Sequence, residues 1–224
     1  VSSNNKQRAA AAAAELITDG MILGLGTGTT ASYLLQILGE RVRQGMRIQG
    51  VPTSEATRQL ALAEGVPLTT LEEQPVLDLC LDGADEVDPE LNLIKGGGGA
   101  LLREKIVASA ARERIIMVDV CKCVDYLGAF PVAVEVIPFG WEVTRRQLEK
   151  FGGVSNLRQR EGKPFVTDQN HYIIDCNLSR IKDASELNQQ LNQLPGVVEN
   201  GLFVDMTERL IIGSPDGITE KRKN

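Results

Sequence analysis

Lys95, the four consecutive glycines Gly96, Gly97, Gly98 and Gly99, and Glu104 stand close together in the chain, a combination able to hold a small anion and move a proton. Glycines beside a lysine let backbone amides and an ammonium approach a charged ligand closely. A mobile surface loop accounts for one or two glycines better than for four. At about 100° per helical residue, Glu104 has Ala100 and Ala108 at i±4 and Leu101 and Val107 at i±3. A carboxylate on so small and apolar a face either snorkels outward or is partly desolvated. Desolvation would tune it towards a general base.

Two further groups suggest chemistry. In Asp82-Gly83-Ala84-Asp85 the carboxylates are either turn formers and caps or acceptors for the hydroxyls of a sugar, and both readings stand. In Gly24-Leu25-Gly26-Thr27-Gly28-Thr29-Thr30 glycines allow a tight turn, and the amides opening the next helix suit an anion such as phosphate, with hydroxyls from Thr27, Thr29 and Thr30. A turn plus a helix cap is the plainer alternative. The dinucleotide fingerprint is incomplete, because Thr29 stands where a third glycine belongs and no acid follows the second strand, which runs into Val51-Pro52-Thr53-Ser54. Lys122 ends an apolar run and offers a second positive charge. The single histidine, His171, adjoins Tyr172-Ile173-Ile174, which predicts a sheet position. Cys121-Lys122-Cys123 has no second cluster to complete the roughly four ligands of a zinc site, so no metal site is expected.

These residues need strands and helices to hold them. Up to Lys122 short apolar runs alternate with helical patterns, the grammar of βαβ units and a parallel sheet. Strands are predicted at 21–25, 47–51, 76–81 and 114–118, and helices over 9–17, 31–43, from a Thr53-Ser54 cap to 64, and 100–111, with Gly65 closing the third. The candidate groups then fall after the carboxyl ends of strands, where open parallel sheets bind ligands. Beyond Lys122 the order becomes β-α-β-β-α-β, a split βαβ or ferredoxin-like pattern. Its strands are predicted at 131–136, 156–160 with 165–167, 171–176 and from 197, and its helices over 142–151 and 184–194. A last strand at 209–213 could rejoin the first sheet.

Composition narrows the function. The chain has 224 residues, 42% hydrophobic and 24% charged, which is ordinary globular composition. One Trp, three Tyr and five Phe are too few for a base-stacking platform, whereas 22 glycines favour sites built from backbone. Twenty-four Lys and Arg against 30 Asp and Glu give a net charge of −6, which repels nucleic acid and anionic membranes. No apolar run approaches the roughly 18–20 residues of a membrane span. Four cysteines in a chain this long are no disulfide framework, so a cytoplasmic location is expected.

The motifs Gly24–Thr30, Asp82–Asp85, Lys95–Lys105 and Val134-Glu135-Val136-Ile137-Pro138, with Leu194–Val198 and Ile212–Gly217, together resemble the type A ribose-5-phosphate isomerase family, in order along nearly the whole chain. The resemblance implies a Rossmann-like domain over 1–130 and 201–224 with a smaller ferredoxin-like α+β domain over 131–200. It implies interconversion of ribose 5-phosphate and ribulose 5-phosphate in the pentose phosphate pathway, without metal or organic cofactor, by a homodimer or homotetramer. It assigns Glu104 as general acid/base, with Asp82, Asp85 and Lys95 assisting ring opening and stabilising the reacting oxygens. Thr27, Gly28, Thr29, Thr30, Gly83, Ala84, Gly96, Gly97, Gly98 and Lys122 would bind the substrate. A non-catalytic sugar-phosphate sensor is the rival reading, although the DNA-reading helix and basic patch of such modules are missing from the sequence. A nicotinamide-dependent oxidoreductase comes third.

Overall fold

Glycine and Ser/Thr punctuation between apolar runs divides the chain into short elements. In the computed structural model, which describes residues 2–223, these are α1 (Ser2–Ala14), β1 (Ile22–Leu25), α2 (Thr29–Arg43), β2 (Gln49–Pro52), α3 (Glu55–Glu64), β3 (Leu77–Asp82), β4 (Glu86–Val87) and β5 (Leu93–Ile94). There follow α4 (Leu101–Ser109), β6 (Ala111–Asp119), β7 (Val132–Val136), α5 (Trp141–Leu148), β8 (Val154–Leu157), β9 (Gln159–Arg160), β10 (Lys163–Pro164) and β11 (Tyr172–Asn177). The chain closes with α6 (Ala184–Asn192), β12 (Val197–Asn200), β13 (Leu202–Phe203), β14 (Arg209–Ser214) and β15 (Gly217–Arg222). Two compact units result. One takes the chain up to Ala84, Arg103–Cys123 and the chain from Met206 onward; the other takes Asp85–Leu102 and Val124–Asp205.

The first unit is a six-stranded sheet in the order β15-β14-β6-β3-β1-β2. Its strands run parallel except β15, which pairs antiparallel with β14. Strands buried on both faces read as continuous apolar runs. Thus Leu79 and Leu81 of β3 join one core cluster and Cys80 the other. The larger cluster receives α1, α2 and α3. Ala9, Ala10, Ala13 and Ala14 are fully buried in it, so the alanine tract is a close-packing helix face. Ser54 caps α3 by accepting the Thr57 amide, and Gly65 ends it in the left-handed conformation.

The second unit holds a four-stranded antiparallel sheet in the order β12-β7-β11-β8, the ferredoxin-like arrangement. Alternation puts Val132, Val134 and Val136 on one face with Ile174 and Cys176, where Leu148 of α5 and Leu191 of α6 cover them. Ala133 and Ile173 face the other way, against Leu101 and Phe165. The predicted strand at 165–167 is instead irregular, with one bridge from Val166 to Tyr172, and the pairing lies earlier in a β9–β10 hairpin. Three two-residue strands, β13-β5-β4, make a small sheet of their own. That sheet and β15 lie outside the sequence expectation. The predicted strand at 209–213 does rejoin the first sheet, as β14 beside β6.

Candidate functional site

In the first unit the ends of the parallel strands gather polar groups. β3 ends at Asp82, which is 3% exposed and accepts hydrogen bonds at one carboxylate oxygen from the amides of Thr27 (3.1 Å) and Gly83 (2.7 Å). The loop after β1 can pass so close only because residue 26 is glycine: a Cβ there would lie 2.2 Å from the Asp82 carboxylate oxygen and 2.6 Å from its Cα. These two bonds are those of a turn former. The Thr27 hydroxyl lies 2.8 Å from Thr53 Oγ1, 2.9 Å from Ser54 Oγ and 3.0 Å from Thr57 Oγ1. Thr57 in turn donates to the Gly26 carbonyl at 2.9 Å, tying the loop to α3.

Gly28, at φ 104°, caps α2 without a side chain, so no capping side chain takes up the first amides of the helix, beside exposed Thr29 and buried Thr30. A cavity of about 370 Å³ is lined there by Gly26, Thr27, Gly28, Thr29, Ser32 and Thr57, among others. Amides and hydroxyls with the positive end of a helix dipole suit an anion. Glu104, in the first turn of α4, is 4% exposed. It does not snorkel. Val107 and Ala108 of the same helix pack with Val51, Leu77 and Cys80. Lys122 ends a short 3-10 turn, Val120–Lys122, which Asp119 caps by accepting the Cys121 amide. Burial is the largest influence pushing the thiols of Cys121 and Cys123 above their ordinary range, so both stay protonated near neutrality.

In the second unit Asp85 accepts the Gly97 amide at 2.8 Å, while its own amide bonds to the Ile94 carbonyl. Lys95 directly follows β5, is 4% exposed, and carries its ammonium 5.4 Å from the centre of the Phe203 ring. Gly97 and Gly98 are exposed. Glu86, buried next to Asp85, accepts the amides of Gly128 and Phe130 at 2.7 and 2.5 Å. His171 precedes β11 rather than lying within it, and its Nδ1 is 3.0 Å from Glu135. Glu135 is 1% exposed; burial raises its pKa, against hydrogen bonds with Thr167 and His171 that lower it. Thr57, Glu86 and Phe203 are absent from the sequence reading. Only Glu86 carried a signal, an acid directly after Asp82–Asp85 in a strand-like setting.

A family model for ribose 5-phosphate isomerase A (phosphoriboisomerase A) matches residues 49–217. A curated relative named ribose-5-phosphate isomerase A, from Gloeobacter violaceus, is 53% identical over 215 residues, covering 95% of this chain and 94% of its own. Another of that name, from Ruegeria sp. (strain TM1040), is 51% identical over 222 residues, covering 96% and 85%. Among solved structures, the ribose 5-phosphate isomerase A of Methanocaldococcus jannaschii superposes with a TM-score of 0.93 at 41% identity, covering 98% of each chain. A D-ribose-5-phosphate isomerase solved in complex with phospho-erythronic acid gives a TM-score of 0.97 at 40% identity, covering 99% of each. These likenesses, over nearly the whole chain and its Rossmann-like scaffold, place it among the α/β sugar-phosphate isomerases. More narrowly, the chain belongs to the ribose 5-phosphate isomerase A family. Its activity is the interconversion of D-ribose 5-phosphate and D-ribulose 5-phosphate, and the sensor alternative is not favoured.

Proposed function

We propose that Glu104 moves the proton between C2 and C1 of the sugar phosphate through an enediolate. One carboxylate can remove the proton and return it, so the reaction balances without any net gain or loss of electrons. Its burial at 4% exposure, on the first turn of α4, is the observation that carries this assignment. Lys95 stabilises the enediolate oxygen, a role suited to a buried ammonium. Asp82 and Asp85 receive sugar hydroxyls and assist ring opening, and Gly83, Ala84, Gly96, Gly97 and Gly98 bind the substrate. The loop of Thr27, Gly28, Thr29 and Thr30 takes the phosphate with Lys122, through the opening amides of α2 and the hydroxyls of Thr29 and Thr30, while Thr27 holds the loop in place. Phospho-erythronic acid, the ligand of the solved relative, is a phosphorylated sugar acid, which supports a site for a phosphate joined to a hydroxylated chain.

The test is Glu104→Gln, which keeps the shape and removes the base. Turnover of ribose 5-phosphate should fall by about 10²–10⁴-fold while calorimetry still detects sugar-phosphate binding. Turnover within a few-fold of the parent would sink the assignment. The same assay with chelator and without added nucleotide checks for a metal or nicotinamide requirement. We further propose a homodimer or homotetramer, from the family resemblance, and a cytoplasmic location, from the cysteine usage, which sedimentation and cell fractionation test.

A further inference from the structure

Two charged side chains act on opposite ends of a single peptide in the glycine loop. The Gly96 carbonyl accepts from Arg158 Nη1 at 2.7 Å, and the amide of the same peptide unit, the Gly97 N–H, donates to the Asp85 carboxylate at 2.8 Å. A trans peptide is planar, with its C=O and N–H pointing in opposite directions. Arg158 and Asp85 therefore hold the plane from its two sides. The same Arg158 nitrogen lies 3.3 Å from the Gly97 carbonyl. The hold is needed because both flanking residues are glycine and Gly96 sits at φ 101°, so side-chain sterics offer little resistance to rotation of this peptide.

Arg158 is itself fixed. Its Nε donates to Asp175 at 2.9 Å and its Nη2 donates to the other oxygen of the same carboxylate, a fork-to-fork pair. Its backbone is bonded on both sides, to the Ile173 carbonyl and from the Phe165 amide. Its guanidinium lies 5.9 Å from the centre of the Phe165 ring, and that ring fills the space where a Cβ on Gly99 would stand. The line from Asp175 through Arg158 and the 96–97 peptide to Asp85 is continuous.

We infer that Arg158 is a positioning residue for the isomerase reaction, setting the Asp85 carboxylate through the 96–97 peptide. This rests on the reading of Asp85 as a site residue. Without the guanidinium the peptide rotates, the Gly97 amide leaves Asp85, and the carboxylate loses its fixed orientation. The loss belongs to kcat, since orientation of a reacting group matters most in the transition state.

The experiment compares Arg158→Ala, Arg158→Lys and Asp85→Ala with the parent in ribose 5-phosphate turnover, each checked for folding by its melting temperature. Folded Arg158→Ala should lose about ten- to a hundred-fold in kcat with KM changed less than about three-fold. Added guanidinium ion should restore part of that loss, and should do nothing for the parent or for Asp85→Ala. If Arg158→Ala does not fold, Arg158→Lys carries the test: its ammonium still pairs with Asp175 but lacks the planar fork, so the same kcat loss is expected. A folded Arg158 variant with parental kcat, while Asp85→Ala is crippled, overturns the positioning role. So does a kcat loss that guanidinium leaves untouched in Arg158→Ala. Parental activity in Asp85→Ala instead overturns the reading of Asp85.

Discussion

Gly26→Ala tests how tightly the loop after β1 is held against Asp82. A methyl group at this position would lie 2.6 Å from the Asp82 Cα, whereas ordinary contact begins at 3.4 Å. Loop and strand must therefore part by about 0.8 Å, the difference between those distances, and a backbone atom cannot yield as a flexible side-chain end can. Overpacking of this kind costs about 1–3 kcal/mol. In a chain of this size that lowers Tm by about 2–12 °C, at about 2–4 °C per kcal/mol. The displacement also pulls the Asp82 carboxylate away from the Thr27 amide. A shift near 1 Å in a reacting group is worth about 10²-fold in rate, so kcat should fall by about that factor in protein that is still folded. Gly20→Ala is the control: φ there is 88° and a Cβ would meet nothing within 4 Å, so it carries backbone strain of about 1–2 kcal/mol and unchanged kcat. The assay is ribulose 5-phosphate formation well below each melting temperature. A folded Gly26→Ala enzyme within about three-fold of parental kcat would refute the reasoning.

Thr57→Val removes the hydroxyl that donates to the Gly26 carbonyl and leaves buried Ser54 one partner short, so denaturant unfolding should show a loss of about 1–3 kcal/mol; a neutral result would mean the cluster contributes no stability. Glu135→Gln tests the buried carboxyl in the second unit. Burial raises its folded pKa above the unfolded value, so the folded state holds the proton longer, and stability drains away as pH climbs from about 4.3 through the folded value. Glutamine cannot ionise, so its Tm relative to the parent should become more favourable as pH rises from about 4.3 through the folded value, and then level off. A constant difference across that range would contradict the burial argument.

Much of this fold is legible because its punctuation is chemical. Ser54 and Gly65 bracket α3 as a capping hydroxyl and a left-handed glycine, and alternating apolar runs locate β1, β3 and β6. β4, β5 and β13 are two residues each, too short for any period to show. β15 escapes for another reason: as an edge strand it carries Thr219, Glu220, Lys221 and Arg222, which read as surface. In the candidate site, the apolar neighbours of Glu104 left burial and snorkelling both open, and the structure shows burial. Thr57 was illegible, since Glu-Ala-Thr-Arg reads as an ordinary first turn, and its importance comes from the Gly26 carbonyl that β1 delivers. Arg158 was illegible too: its partners Asp175, Gly96 and Gly97 are set by sheet register and loop geometry.

The strand order has a consequence for how the molecule is made. β6 lies between β3 and β14, and β14 begins about ninety residues after β6 ends, once all of the second unit has been synthesised. At about 5–20 residues per second, a ribosome leaves the outer edge of β6 unpaired for about 5–20 s. That edge belongs to Ile115, Ile116, Met117 and Val118, an apolar segment well suited to pairing with a neighbouring nascent chain. The helix α1, which precedes both strands in the chain, packs against β6 and β14, and so it too waits for part of its contact surface until β14 has been made.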